Sequence, residues 1–194
     1  MPGAGSATEA QREAAATRSV RNLLLVVLAG AFLLGVWSTH RPPAAKPAPL
    51  SGPAFRTTTV SAAHSGRPTA RLVGIRTSRQ EGFDRVEFIF DRAPPSWRVG
   101  YAPAIRDGAG RPMALRGRGL LAVAFQPAVA HRVGGASSFG ARSRTPAFSA
   151  LQQIRLASDI EGRVQFGLGL NTRVGFRVLE ATTPSRLIVD VRTP

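Results

Sequence analysis

The amino-acid sequence predicts an all-β fold over residues 69–194, an antiparallel β-sandwich preceded by one N-terminal transmembrane helix and a disordered spacer. Three observations carry the β-sandwich. From Thr69 onward, apolar residues recur in short runs with a period of two. Gly, Pro, Asn and Asp fall between the runs, where turns belong. No stretch of this half sustains the 3.6-residue period of an amphipathic helix. Eight or nine short strands in about 125 residues suit two packed sheets.

Arg71–Thr77 reads as the first strand, and Ser78–Phe83 as a turn containing Gly82. Asp84–Phe90 alternates cleanly, with Val86, Phe88 and Phe90 on one face and Arg85, Glu87 and Ile89 on the other. Trp97, Val99 and Tyr101 share a face of the next strand. Asp107-Gly108-Ala109-Gly110 is a hairpin signal. Met113–Arg116 and Leu120–Phe125 flank the Gly117-Arg118-Gly119 turn. The second of these is apolar throughout, as expected of a strand covered on both faces. His131–Pro146 is a Gly/Ser/Arg loop, well beyond the usual length of about 4–6 residues. Leu151–Leu156, Val164–Leu170, Phe176–Glu180 and Arg186–Val191 complete the strand set.

The first third of the chain has a different character. Residues 1–21 are small and polar and read as a disordered cytoplasmic tail. Asn22–Trp37 carries no charge. Extended by Ser38 and Thr39, it approaches the roughly 20 residues of a spanning helix. Arg18 and Arg21 precede it, so the positive-inside rule puts the C-terminal domain outside the cytoplasm. The expectation is an uncleaved signal anchor over residues 22–39. The alternative is a cleaved signal peptide and a secreted product. Residues 40–68 contain Pro42, Pro43, Pro47, Pro49, Pro53 and Pro68 and read as a Pro/Ala-rich spacer.

Composition excludes several chemistries. There are no cysteines, so disulfides, thiol nucleophiles, Cys-based zinc sites and lipid attachment through Cys are ruled out. The histidines are His40, His64 and His131, which suggest neither a metal cluster nor a Ser-His-Asp set. Asp159 and Glu161 would face the same way on a strand, as a glycosidase pair must, but Gly162 signals a turn there. Gly134-Gly135 and Gly167-x-Gly169 lack the context of a phosphate loop. No catalytic residue, metal or cofactor is therefore assigned, and the chain is expected not to be an enzyme.

Charge is the remaining signal. The net charge is +15, and of 26 basic residues only Lys46 is a lysine. Arg is permanently charged and forks onto phosphate or carboxylate. Asp84, Arg85, Arg177, Arg186 and Asp190 lie in strands, where Asp is disfavoured. Cross-strand pairing that sets register explains them, with a saccharide or peptide site as the alternative. Between Asp107 and Asp159 there is no acidic residue, while Arg111, Arg116, Arg118, Arg132, Arg142, Arg144 and Arg155 all fall there. Arg116, Arg118, Arg132, Arg142 and Arg144 are the candidates for contacting an anionic polymer.

Several motifs act as a set. They are Gly82-Phe83-Asp84-Arg85-Val86 with Phe88 and Phe90, the Asp107-Gly108 turn, and Ser158-Asp159-Ile160-Glu161-Gly162. Gly167-Leu168-Gly169-Leu170, Phe176-Arg177-Val178 and Pro184-Ser185-Arg186-Leu187-Ile188-Val189-Asp190 complete it. Over Leu72–Val191 the chain resembles the AMIN-like domain of actinobacterial cell-envelope proteins. The resemblance implies a noncatalytic, wall-associated β-sandwich whose partner is peptidoglycan or an associated anionic wall polymer. The cytoplasmic membrane would be a second partner through the N-terminal helix. The alternative is a module that docks an envelope enzyme through a sheet edge. Nucleic acid is not expected, because the anchor would export the domain and aromatic residues are only 7%.

Overall fold

The computed structural model describes residues 53–194; the N-terminal tail, the apolar segment Asn22–Trp37 and residues 40–52 of the expected spacer lie outside the described residues. Among the described residues no helix is long and apolar enough to cross a membrane. In chain order the strands are β1 (Val60–Ala62), β2 (Ala70–Gln80), β3 (Phe83–Phe90), β4 (Ser96–Tyr101), β5 (Ile105–Arg106), β6 (Pro112–Met113) and β7 (Gly119–Gln126). They continue as β8 (Ala128–Val129), β9 (Ser143–Arg144), β10 (Leu151–Ile160), β11 (Arg163–Leu170), β12 (Phe176–Thr182) and β13 (Ser185–Arg192). One sheet runs β1-β4-β7-β11-β10-β9 and the other β12-β13-β3-β2-β8, while β5 and β6 form a separate hairpin. The pairing is antiparallel except between β2 and β8, where Ala70 and Ala128 meet in parallel.

Alternation explains which faces meet. On β3, Asp84, Val86, Phe88 and Phe90 are buried and the residues between them are not. Phe88 reaches across to Phe125 and Phe166 of the opposite sheet, with ring centroids 5.2 Å away in both cases. Phe90 adds a second contact to Phe125 at 5.1 Å. These tilted and edge-on rings knit the two layers at the usual aromatic spacing. Two tight turns fall at the expected glycines, although β2 runs on to Gln80, well into the expected Ser78–Phe83 turn. Gln80 pairs with Phe83 around Glu81-Gly82, and Ile160 with Arg163 around Glu161-Gly162. Glu161 and Gly162 have φ values of 52° and 70°, the pair of positive angles a tight hairpin turn needs.

Four expectations are corrected. The folded unit begins upstream of residue 69. Arg56 bridges Phe176 at the edge of β12, and β1 then pairs with β4 of the other sheet. A Pro-rich composition hides this, because edge pairing uses backbone groups and needs only a few residues. The His131–Pro146 loop is also partly internal. Phe139 is buried against Phe166 at 5.4 Å, and the Ser138 hydroxyl donates to the Leu72 carbonyl at 2.6 Å. Third, β7 is covered fully on one face only, with Leu121, Val123 and Phe125 buried and Leu120, Ala122 and Ala124 half-buried. Last, Met113–Arg116 is not one strand. β6 ends at Met113, and the chain then crosses β11 as a strap.

That crossing accounts for Gly167 and Gly169. Leu115 and the buried Ile105 sit over Gly167, and a Cβ on Gly169 would lie 2.0 Å from the Arg116 carbonyl oxygen. The two glycines are the gap through which a third layer reaches the sheet.

Charged residues hold the five-stranded sheet. Asp190 is wholly buried and stands opposite Arg85 on β3 and Arg177 on β12. Arg85 donates to both carboxylate oxygens, at 2.7 and 2.9 Å, and Arg177 Nε donates to one at 2.9 Å. The Asp190 carboxylate holds the Arg85 guanidinium above its already high ordinary pKa. The Arg177 guanidinium lies over the rings of both Phe55 and Phe83, 4.7 and 4.9 Å from their centroids. Arg186 Nε is 2.9 Å from Glu87 outside hydrogen-bond geometry, and its Nη1 donates to the Thr183 and Pro184 carbonyls at 3.1 Å each.

Asp84 differs from the expected charge pair. The period of β3 turns it inward, and its carboxylate accepts the Ala150 and Leu151 N–H groups at 2.7 and 2.9 Å. It thus pins β3 to the start of β10 across the sandwich.

Two substitutions test this account. Gly169→Ala should lower unfolding free energy by about 1–3 kcal/mol through overpacking, read from urea denaturation; an unchanged midpoint would remove the close-approach argument. Asp190→Asn should cost about 3–5 kcal/mol, because two nearly buried guanidiniums lose their counter-charge. A loss below roughly 1 kcal/mol would show that water already screens the trio.

Candidate functional site

Strand β10 is the spine of the site. Its residues Leu156–Ile160 form one wall of an open cleft of about 380 Å³, completed by His131, Gly135, Arg142 and Gly108. A second cleft, of about 300 Å³, is lined by Arg155 of β10 with Asp107, Arg111, Pro112, Met113 and Ala114. The β5–β6 hairpin contributes to both, with Gly108 in the first and Asp107 and Arg111 in the second.

The carboxylates of this face are already engaged. Asp159 accepts the Ala130 N–H with both oxygens at 3.1 Å, and its Oδ2 lies 2.7 Å from His131 Nδ1. Asp107 shapes its turn by accepting the Ala109 and Arg111 N–H groups, both at 2.9 Å, and the Arg111 Nε–H at 3.0 Å. The backbone hydrogen bond from Arg111 leads the causes that hold the half-buried Asp107 below its ordinary value of 3.8. With both carboxylates tied internally, Arg142 and Arg155 have no free carboxylate among the residues lining their clefts. Among the described residues the Arg155 guanidinium makes one long hydrogen bond, 3.4 Å, to the Ala114 carbonyl.

The five sequence candidates separate. Arg142 lines the first cleft. Arg132 is exposed beside His131, on a small turn whose tip, Val133, is fully exposed. Arg116 and Arg118 are exposed on the strap over β11 and line neither cleft. Arg144 belongs to the fold: its guanidinium donates to the Ile75 carbonyl at 2.9 Å and the Phe139 carbonyl at 3.3 Å. Asp84, Arg85, Arg177, Arg186 and Asp190 also lie outside the two clefts.

Sequence reasoning missed His131 and did not select Arg111 or Arg155. His131 and Asp159 are 28 positions apart, so no local spacing announces them. The Asp159 and Glu161 pair does not form a facing set. Asp159 is engaged at Ala130 and His131, while Glu161 sits in the β10–β11 turn. Among the described residues no group of three or more His, Cys, Asp or Glu is arranged to hold a metal.

The match to known families covers most of the described chain. The model of the AMIN-like domain fits residues 70–193. The chain belongs to the AMIN-like domain family. Membership relates it to cell-envelope modules of the extracytoplasmic side. No curated protein and no solved structure matches it. The matched AMIN-like region contains β10, the β5–β6 hairpin and the loop after β8, and hence both clefts. Phe55, Arg56 and β1 precede it and complete the edges of its sheets.

Asp107 offers a pH test of the hairpin. A carboxylate with a lowered folded pKa contributes above its unfolded value, and the contribution is lost as pH falls through the folded one. The Ala109 and Arg111 amide signals should therefore move together in acid, with a midpoint below 3.8 by NMR. A midpoint above that value would contradict the turn geometry.

Proposed function

We infer that this AMIN-like domain is a noncatalytic module that binds cell-wall polymer, peptidoglycan or an associated anionic polymer, from the outer side of the membrane. The observation that carries this reading is the arginine-rich face along β10. Arg155 and Arg111 line one cleft and Arg142 and His131 the other, while the Asp107 and Asp159 carboxylates that also line them are engaged by hydrogen bonds from within the chain. Such a face attracts a polyanion and positions it through forked guanidinium contacts. The clefts are open, which suits a chain passing across the surface. Separation of Asp159 from Glu161 supports a binding role over hydrolysis. The apolar segment Asn22–Trp37 would hold the module at the membrane.

The full chain should co-sediment with intact wall sacculi, and more weakly as salt rises from low to moderate concentration. Combined replacement of Arg111, Arg142 and Arg155 by Ala should weaken this binding at least about tenfold, with the melting temperature as a control for folding. Binding to stripped sacculi that survives moderate salt would assign peptidoglycan. Binding only in the presence of the anionic polymer would assign that polymer. A chain that pellets with neither, or a triple variant that binds like wild type, would overturn the reading.

A further inference from the structure

We propose that the cleft beside His131 is a proton-linked oxyanion site, taking a phosphodiester or carboxylate group when the imidazole is protonated. The proposal rests on the wall-polymer reading and adds the chemistry of one contact. His131 Nδ1 lies 2.7 Å from Asp159 Oδ2, and the Asp159 side chain is only 9% exposed. An ionised carboxylate only accepts, so Nδ1 carries the hydrogen of that bond. The ring is 42% exposed, which leaves Nε2 as the nitrogen available to the cleft. In the neutral ring Nε2 holds a lone pair and repels an anionic oxygen. In the protonated ring it is an N–H donor on a positive charge, in a cleft that Arg142 also lines.

The rest of the lining agrees with this division. The loop after β8 supplies His131, Arg142 and the uncharged Gly135, and the β5–β6 hairpin supplies only Gly108. From β10 come Asp159, the Ser158 hydroxyl, and Leu156, Ala157 and Ile160. The charged or titratable groups facing His131 across this lining are thus Asp159 and Arg142. Asp159 is held by the Ala130 N–H and by His131 itself, so both its oxygens already have donors within the chain. Ile160, 51% exposed, offers an apolar shoulder for the carbon skeleton next to the anionic group. The volume, about 380 Å³, lies within the range of small-molecule sites.

An imidazole changes charge between about pH 5 and 8. Proton uptake and anion binding must therefore strengthen each other by the same factor. The probes are dimethyl phosphate and acetate, both ionised from about pH 6 upward. The readout is the imidazole NMR spectrum of the full chain, with the His131 signals identified by their loss in His131→Gln. At least one probe should shift these signals at about pH 6, bind about fivefold more weakly at about pH 8, and raise the midpoint of the His131 titration. Arg142→Ala should weaken the same binding. A response to dimethyl phosphate alone assigns a polymer phosphate, a response to acetate alone assigns a peptide carboxylate, and a response to both assigns their shared oxyanion chemistry. No response to either probe overturns the proposal, as does equal binding at the two pH values or binding unchanged in Arg142→Ala. Sacculus sedimentation at about pH 8 tests the parent reading separately. Sedimentation with a silent imidazole removes only this site; an imidazole response without sedimentation at any pH removes only the wall-polymer reading.

Discussion

Asp190 is a charge without access to water, and much of the domain is arranged to make that tolerable. An isolated carboxylate in such a place would be very costly. Here it stands at the centre strand of three, with an arginine directly across on either side. The forked contact with Arg85 and the single contact with Arg177 set the register of β3, β13 and β12 together. A one-residue slip would turn the arginines to the opposite face and strand the carboxylate. Phe55 and Phe83 then cover the Arg177 guanidinium. Phe55 comes from the segment before β1, so the ion trio and the N-terminal edge closure depend on one another.

The two sides of the sandwich are closed by different means. On one side, residues 56–62 pair first with β12 and then with β4, touching both sheets in succession. Glu180 of β12 reinforces this side by accepting the Trp97 indole N–H at 2.6 Å, and it lies 2.8 Å from His64 Nε2. On the other side, the loop after β8 inserts Phe139, bonds to β2 through Ser138 and Arg144, and pairs with β10 as β9. Both closures remove open sheet edges that would otherwise be free to pair with other chains.

This second closure also builds the clefts. The loop that seals the core through Phe139 presents His131 and Arg142 outward beside β10. The hairpin that crosses β11 over Gly167 and Gly169 presents Arg111 on the same strand's other flank. Structural and functional residues therefore alternate within single segments. Arg142 and Arg144 are two positions apart, yet one lines a cleft and the other satisfies carbonyls inside the fold.

By itself the sequence determined the all-β class, most of the long strands and several of their turns. Those features follow from local alternation and from glycine at positive φ, as at Gly82 and Gly162. It also determined the Arg excess between Asp107 and Asp159, which is a property of composition. Tertiary structure alone decided which charges are internal. Asp84 and Asp190 look alike on their strands, but one caps backbone N–H groups across the core and the other binds two arginines on the outer face. Tertiary structure also decided that the segment after Pro53 belongs to the fold and that His131 meets Asp159. The physical reason is common to all of these. Edge pairing, burial and hydrogen bonding join residues far apart in the chain, and no local period or spacing records which partners will meet.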